Sequence, residues 1–484
     1  MSRTPAWLKV PAAFVQKNLT GHKILGLATA GILYLICLSG TLTVFYLDMQ
    51  RWEAGGVPDA VFTPAGVADA LIDARAHLAK GTTYLSANTP THDSPRLNVI
   101  TGEDNRGYTS GGSYAGPAAA PAVDGLCVLH YYLQLPSTFG GILVGLGGLA
   151  IVALLIGGLL AHPRIFKDAF LWRFKAGARL NRSDLHNRVG VWASPFHLII
   201  AATGAIIALS QVVTLVAGLS FHKGDSSLPS AALYGTLPVA SAPGTMDRAA
   251  LITALTSLQR DFPGVQPDYV TINNLGSGHE SLSVWAEIPD RLVYGEQYEF
   301  DAQGHLAARH HLDDGAMGKQ AFASLYRLHF GSFGGLWVRL AFTVLGLGLT
   351  LICTTGMDIW LLKSAQKGQP YPRLHKGWAG FVWGAPIAIA AATLTCLLGG
   401  SAYTPVFWSV LGVLTLAAVF APALRQVSLS GQLGLGLVLV ALVCAHTLKF
   451  GALSWTGGAL WVNASLIATA AVLALIALRR PQEH

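Results

Sequence analysis

Long apolar stretches recur along the chain and are separated by polar segments of unequal length. Runs of about 20 residues, enough to cross a hydrocarbon core of about 30 Å, lie at 24–46, 139–161, 189–218, 336–362, 379–400, 404–424, 431–450 and 457–478. Two long polar segments, 49–128 and 220–328, separate the first from the second run and the third from the fourth. This pattern predicts an α-helical polytopic membrane protein with about eight spanning helices.

The two long polar segments have patterns typical of small α+β domains. In the second, "TMDRAALITALTSLQRDFPG" predicts a helix, and "DYVTINN", "ESLSVWAEI" and "YGEQYEFDAQGHL" alternate like strands of a short antiparallel sheet. The first begins similarly with "TPAGVADALIDARAHLAKG", but the composition of "GYTSGGSYAGPAAAPAVDG" assigns no strands there. We therefore expect two small domains, of which the first is degenerate.

Composition and charge set the class and the orientation. The chain is 52% hydrophobic and only 12% charged, with a mean hydropathy of +0.47, which excludes a soluble globular enzyme. Its net charge of +7 is concentrated in the short connections, such as 163–188 and 363–376. The positive-inside rule then predicts cytoplasmic termini and long segments on the outer side of a bacterial inner membrane. Because the positive charge lies in the membrane connections and reports the orientation of the chain, we expect the lipid bilayer as a partner and no binding of nucleic acid.

An internal repeat relates the two halves of the first four spans. "GHKILGLATAGILYLICLSG" aligns without a gap with "LHNRVGVWASPFHLIIAATG". The alignment matches His22 with His186, Gly26 with Gly190, and Gly40 with Gly204. "LHYYLQLPSTFGGILVGLGGLAIVALLIGG" likewise resembles "LHFGSFGGLWVRLAFTVLGLGLTLICTTG", which matches His130 with His329. A weaker third copy begins at Leu374. The sequence therefore predicts a duplicated helix-domain-helix core followed by a C-terminal helical block.

This repeat divides the chain into six parts. They are the N-terminus with the first span (1–48), outer domain 1 (49–128), the second and third spans with their basic connection (129–219), outer domain 2 (220–328), the fourth span (329–364) and a four-helix membrane block (365–484).

Repeated histidines at the membrane require an explanation, because polar side chains there are costly. Haem bound by two histidines needs facing imidazoles on neighbouring helices and small residues beside them. The repeat suggests that His22 pairs with His186 near the cytoplasmic face and His130 with His329 near the outer face. Gly26 and Gly190 would provide space for the porphyrin. Alternatively, these histidines are interfacial residues and the glycines only allow close helix packing.

Other residues are secondary candidates. His197 shares a helix face with His186 and could replace one ligand, bind a deeper haem, or bond a neighbouring carbonyl. Arg188 and Arg327 could pair with haem propionates, although Arg188 also fits the ordinary positive-inside charge. For His375 and His446 we favour a structural role.

These motifs together resemble the PepSY-associated transmembrane family, which includes iron-regulated membrane proteins and ferric-siderophore reductases of the bacterial inner membrane. The resemblance covers about residues 15–365, and "YEFDAQGHL" is similar to the closing strand and turn of a PepSY domain. The resemblance implies two periplasmic PepSY-like domains, haem b as cofactor, and delivery of electrons to ferric siderophores. With two histidine pairs, we expect two haems per chain. We expect the Fe(III) chelate to dock between the two outer domains.

The source of electrons lies outside this chain, because no G-x-G-x-x-G fingerprint follows a strand and opens a helix. Quinol or a separate reductase would then be the donor. Two other functions compete with the reductase hypothesis: a non-redox, membrane-anchored periplasmic binding or regulatory module, and a transporter.

Overall fold

The structure is a computed structural model that describes residues 11–102, 104–160, 177–234, 243–288 and 291–479. The basic residues of the 163–188 connection that precede residue 177 lie outside the described residues, as do the two ends of the chain. The helices are α1 (Ala12–Thr43), α2 (Tyr46–Glu53), α3 (Pro64–Arg75), α4 (Pro121–Tyr132), α5 (Ser137–Leu160), α6 (Ala178–Trp192), α7 (Ser194–Phe221), α8 (Ser227–Tyr234), α9 (Arg248–Asp261), α10 (Met317–Phe330), α11 (Gly335–Gln366), α12 (Pro372–Leu397), α13 (Tyr403–Phe420), α14 (Leu424–Phe450) and α15 (Gly457–Arg479).

Within the described residues, eight of these elements are long and apolar enough to cross a bilayer, which confirms the prediction of eight spans. They are α1, α5, α7, α11, α12, α13, the segment Leu424–Trp455 that begins with α14, and α15. A helix is suited to this environment because it satisfies its own backbone hydrogen bonds in lipid. The fold is therefore that of a polytopic membrane protein carrying an α+β domain.

The four helices of the duplicated core pack in a continuous group. Helix α1 lies between α5 and α11, and α5 also packs against α7. The short helices α4, α6 and α10 each precede a span and pack against this core, α6 along α11 and α10 against α7. We call the end of the core that carries the β-sheet the sheet side.

The two outer segments form one sheet and not two separate domains. Strands β1 (Tyr84–Asn88), β2 (Leu97–Ile100), β3 (Asn105–Tyr108) and β4 (Tyr114–Pro117) come from the first segment. Strands β5 (Gln266–Asn273), β6 (Ser281–Glu287), β7 (Gly295–Phe300) and β8 (Leu306–Arg309) come from the second. The order is β4-β3-β2-β1-β5-β6-β7-β8, and all pairs are antiparallel.

Pairing of β1 with β5 joins the two segments, with Ser86 opposite Thr271. One apolar face of the sheet packs against α3 and α9, and its core includes Leu85, Val270 and Val284. The stretch 107–125, which the sequence left unassigned, contains the end of β3 and all of β4. Pairing of β3 with β2 and of β4 with β3 supplies the hydrogen bonds that composition did not indicate. The seam between the two segments is closed by this pairing, so the outer segments leave no open cleft between β1 and β5 for the chelate that we expected to dock between them.

The C-terminal block is formed by α12 to α15. Helix α12 packs against α13 and α14, and α14 packs against α15. The block contacts the core through α1 and α4, and it contacts α2 through α15. Tyr34 of α1 donates a hydrogen bond of 2.6 Å to the carbonyl of Val382 in α12.

Candidate functional site

Two histidines face each other on the sheet side of the core. His130 lies near the C-terminal end of α4 and His329 near the C-terminal end of α10, each on a short helix that ends just before a span. Their ring centres are 6.2 Å apart and their planes are inclined by 13°. The repeat had suggested this contact, but it had placed both residues at the start of the spans themselves.

A second pair lies at the opposite end of the core. His22 of α1 and His186 of α6 have ring centres 6.3 Å apart, with planes inclined by 83°. Along α1, 14 residues separate His22 from Ile36, whose carbonyl contacts His130. At 1.5 Å per residue, this is a rise of about 21 Å. The two pairs therefore lie toward opposite faces of the bilayer.

The Nδ1 atoms of the four imidazoles bond to neighbouring helices. His22 Nδ1 lies 3.0 Å from the Leu154 carbonyl and His130 Nδ1 lies 3.1 Å from the Ile36 carbonyl. His329 Nδ1 lies 3.1 Å from the Ile200 carbonyl and also 3.1 Å from Thr203 Oγ1. His186 Nδ1 lies 3.0 Å from Thr355 Oγ1, and the Ile352 carbonyl is a further partner of this imidazole. These bonds favour the tautomer with the proton on Nδ1, which leaves Nε2 of each ring as the atom suited to bind a metal.

Each imidazole also lies against a glycine four residues after the carbonyl that it contacts. A Cβ atom on Gly40 would lie 2.5 Å from His130 Cε1, and one on Gly204 would lie 2.6 Å from His329 Cε1. At Gly158 and Gly356 the corresponding distances to His22 and His186 are 3.3 and 3.5 Å. A side chain on these helices would block the approach of the ring to the carbonyl. Glycine is therefore part of each imidazole site.

Gly26 and Gly190, which we predicted to make room for the porphyrin, do not contact the histidine rings. A Cβ on Gly26 would meet Leu154 at 3.6 Å, and one on Gly190 would meet Ile352 at 4.0 Å, which are ordinary packing distances. The sequence did contain the correct signal. Gly40 and Gly204 are matched by the repeat, and Gly158 and Gly356 close the two aligned stretches that follow His130 and His329.

A cavity of about 670 Å³ lies around the pair on the sheet side. His130 and His329 line it together with Gly40, Gly204 and the aromatic residues Phe196 and Phe342. The hydroxyl-bearing side chains in its wall are Thr41, Thr43, Tyr131, Tyr132, Ser137, Thr138, Ser210, Tyr234 and Tyr326. The volume lies in the range of sites for cofactors, and a mostly apolar wall with a few polar groups is typical of them.

The residues of both pairs fit haem with two axial histidines. A bond between a metal and an imidazole nitrogen is about 2 Å long, so two imidazoles on opposite sides of one ion have ring centres about 6 Å apart. Both observed separations agree with this value. Burial lowers the pKa of His130 and of His329 to about 4, which keeps both rings in the neutral form that binds metal.

The secondary candidates are placed differently. His197 is fully buried in α7, and its Nε2 lies 3.1 Å from the Leu345 carbonyl of α11, so this atom is already bonded. Arg327 bonds to the carbonyl of Arg291 and lies 3.8 Å from Glu287, toward the sheet and outside the lining of the cavity. Arg188 is buried in α6, two residues beyond His186. The predicted role of Arg327 beside a propionate is not supported by these contacts.

The two histidines of the C-terminal block have protein partners. His446 is buried, its Nε2 lies 2.8 Å from the Trp52 carbonyl, and its Nδ1 lies 3.2 Å from Asn463 Nδ2. His375 Nε2 lies 3.9 Å from the carboxylate of Asp358. These contacts agree with the structural role favoured from the sequence.

A cluster of carboxylates in the sheet domain is a second place to consider for a metal. Oxygen atoms of Glu296, Asp313 and Asp314 lie within 4.8 Å of one another. However, Arg309 forms ion pairs with all three carboxylates. The guanidinium group takes the place of a cation here, so we do not regard the cluster as a metal site.

Comparison with known proteins agrees with the arrangement of the core. The family model described as "PepSY-associated TM region" matches residues 19–363, which include the four paired histidines. The chain belongs to this family. The match ends before α12, so the C-terminal block lies outside the part of the chain that defines the family.

A relative is found in Pseudomonas aeruginosa. It is 27% identical over 288 residues, which cover 57% of this chain and 72% of the relative, and it is named "Uncharacterized protein PA4219". This similarity carries no named activity.

Proposed function

We propose that this PepSY-associated protein is an inner-membrane electron carrier with two b haems that reduces ferric siderophores in the periplasm. The observation that supports this most directly is the presence of two histidine pairs about 21 Å apart along α1, each with the ring separation expected around one metal ion. One pair would serve each face of the bilayer.

In this proposal, His22 and His186 hold the inner haem, and His130 and His329 hold the outer one. The carbonyls of Leu154, Ile36, Ile200 and Ile352 orient the four rings and increase the basicity of Nε2. Bound at these pairs, haem b would supply one-electron transfer, for which two axial histidines are well suited. The side chains of Phe196 and Phe342 give the wall of the cavity around the outer pair an apolar surface.

The substrate class follows from the resemblance of the core to siderophore reductases. Reduction of Fe(III) to Fe(II) weakens a chelate built from hard oxygen donors, since these favour the more highly charged ion. Because the seam between the outer segments is closed, we propose that the chelate docks at the mouth of the cavity on the sheet side. Tyr131, Tyr234 and Tyr326 of the lining could there donate hydrogen bonds to the chelate.

The orientation belongs to the same proposal. The basic segment 363–376, at the end of α11 and the start of α12 opposite the sheet, would be cytoplasmic, and the sheet domain would then lie in the periplasm. Quinol, or a separate reductase, would deliver electrons at the pair formed by His22 and His186.

The test is a dithionite-reduced minus oxidised visible spectrum of the full-length protein purified in detergent, with a pyridine haemochrome assay of haem per chain. Bands of low-spin haem b at about two haems per chain are expected, and the reduced protein should then be reoxidised by a ferric siderophore. A colourless protein from haem-replete cells would refute the proposal and favour a non-redox anchored module.

A further inference from the structure

Helix α4, which carries His130, is held at both ends by residues that depend on the C-terminal block. At its N-terminus, the carboxylate of Glu53 accepts hydrogen bonds from the backbone N–H groups of Ala122, at 2.8 Å, and Val123, at 3.0 Å. Glu53 is only 4% exposed. The first N–H groups of a helix have no partner within the helix, so a buried carboxylate here fixes the position of the helix end.

The position of Glu53 is itself fixed by the preceding residue, Trp52, which is buried against α14 and α15. Trp52 Nε1 donates a hydrogen bond of 2.9 Å to Asn463 Oδ1, and its carbonyl lies 2.8 Å from His446 Nε2. The indole stacks on the His446 ring with centres 4.5 Å apart. Asn463 Nδ2 donates a hydrogen bond to the Ser454 carbonyl, and Ser454 Oγ donates one to the His446 carbonyl. The side chains of Asn463 and Ser454 are both fully buried.

At its C-terminal end, α4 finishes in a left-handed turn that does not use glycine. Leu133 has φ 52° and Gln134 has φ 59°, a conformation that is unfavourable for residues with a Cβ. The Gln134 side chain donates to the Gly125 carbonyl, and Thr404 of α13 donates a hydrogen bond of 2.6 Å to Gln134 Oε1. The ring of Tyr403 packs closely on Gly125, in the middle of α4.

The equivalent helix of the second repeat is held by other means. Helix α10 ends at Gly331, which adopts φ 69° without a Cβ penalty. Besides packing on α7, it bonds to the sheet domain: Arg327 bonds to the Arg291 carbonyl, and the Tyr294 N–H bonds to the Ala323 carbonyl. Among the described residues, the two repeats therefore place their outer histidines with different supports. Helix α4 is bonded to Glu53, which the C-terminal block holds through Trp52, and the turn that ends α4 is bonded to Thr404 of the block.

We propose that the C-terminal block positions His130 by clamping α4, through Glu53 at one end of the helix and Thr404 at the other. Glu53 and Thr404 are positioning residues that act through α4. The clamp itself is independent of cofactor binding, whereas its effect on the outer haem rests on the proposed function.

The test uses the full-length protein with Glu53→Leu, which removes both carboxylate acceptors at the N-terminus of α4, and Thr404→Val, which removes the hydroxyl bonded to Gln134 just beyond its C-terminus. The matched controls are Asp124→Asn, which removes an exposed carboxylate from the same helix, and Thr395→Val, whose hydroxyl bonds only to the Ala391 carbonyl of its own helix. Amide hydrogen exchange over residues 121–134 should become about tenfold faster in the two test variants. Exchange over residues 317–330 should not change in them, and neither segment should change in the controls.

The second readout is spectroscopic. In both test variants the signal of the outer haem should shift or fall, while that of the inner haem stays at its wild-type level, because His22 and His186 do not contact α4. Unchanged exchange in 121–134, or equal changes in both segments, would overturn the clamp. If exchange is faster only in 121–134 and the purified protein carries no haem, the exchange result supports the clamp and the missing haem refutes the proposed function.

Discussion

The imidazole rings of His130 and His329 lie nearly parallel, with centres 6.2 Å apart, although 199 positions separate them in the chain. Each ring contacts a carbonyl and a glycine of a core span, Ile36 and Gly40 for His130, and Ile200 and Gly204 for His329. Ile36 and Ile200 are 164 positions apart, and so are Gly40 and Gly204. The same shift of 164 positions relates His22 to His186. The duplication of the chain therefore produces a site with approximate twofold equivalence.

Alanine at either member of a pair should remove the same haem component. His130→Ala and His329→Ala should each abolish the outer component, because an iron with one axial histidine loses the low-spin bis-histidine state. His22→Ala or His186→Ala should do the same for the inner component. The pyridine haemochrome assay should fall from two haems to one in each case, and His375→Ala should leave it at two. A loss of both haems in every variant would contradict independent sites.

The glycine positions offer a sharper test of the observed geometry. Gly40→Ala and Gly204→Ala should displace the outer imidazoles, since the new methyl group would lie 2.5 or 2.6 Å from a ring carbon. By analogy with changes beside metal-binding histidines, affinity for haem at the outer site should drop by about 10–100-fold. Gly26→Ala and Gly190→Ala are the matched controls, with nearest contacts at 3.6 and 4.0 Å. Equal effects at all four positions would mean that these glycines allow close helix packing in general and have no specific role beside the imidazole rings.

The two sites should have different electron paramagnetic resonance signals. The angle between axial imidazole planes sets the orbital splitting of low-spin Fe(III), and the angles here are 83° at the inner pair and 13° at the outer pair. Oxidised protein should therefore show one highly anisotropic signal and one ordinary rhombic signal. The rhombic signal should disappear in His130→Ala and the anisotropic one in His22→Ala. Two identical spectra would show that the ring orientations change when haem binds.

His197 should be dispensable for haem binding. Its Nε2 is bonded to the Leu345 carbonyl, and the repeat places Leu33 at the equivalent position of α1. His197→Leu should therefore retain both haem components in the reduced minus oxidised spectrum. Disappearance of one component would identify His197 as a ligand and require a different partner for His186 or His329.

The stability of the protein should depend on pH through Glu53. Burial raises the pKa of Glu53 from 4.5 to about 7, so the folded protein holds a proton that the unfolded chain has lost. This contribution is fully present below pH 4.5 and is lost as the pH rises through 7, a difference of about 3 kcal/mol. Because the lowered pKa of His130 and of His329 acts in the opposite direction as the pH rises toward 6.5, the measurement that isolates Glu53 is the melting temperature in detergent between pH 5 and 8, compared between the wild type and Glu53→Gln.

Glu287 and Glu296 contribute in the same direction, because burial also raises the pKa of each to about 7. Comparison with Glu53→Gln therefore isolates the effect of Glu53. The variant should show a shallower pH dependence than the wild type. Identical slopes would mean that Glu53 is ionised throughout this range.

The sequence by itself determined the membrane class, the eight spans, the duplicated core and the identities of the four paired histidines. These features are local or repeat with a fixed shift: a span needs only a run of apolar residues, and a duplication leaves its histidines and glycines in register. The family match over residues 19–363 covers this duplicated core.

Only the tertiary structure decided which groups meet. The pairing of β1 with β5 joins Ser86 to Thr271, and the contact between Thr404 and Gln134 joins the C-terminal block to α4. Such contacts depend on the packing of distant elements, for which no periodicity along the chain exists. For the same reason, Gly40 and Gly204 could be recognised as repeated positions, whereas their role against the imidazoles became visible only when α4 and α10 were placed beside α1 and α7.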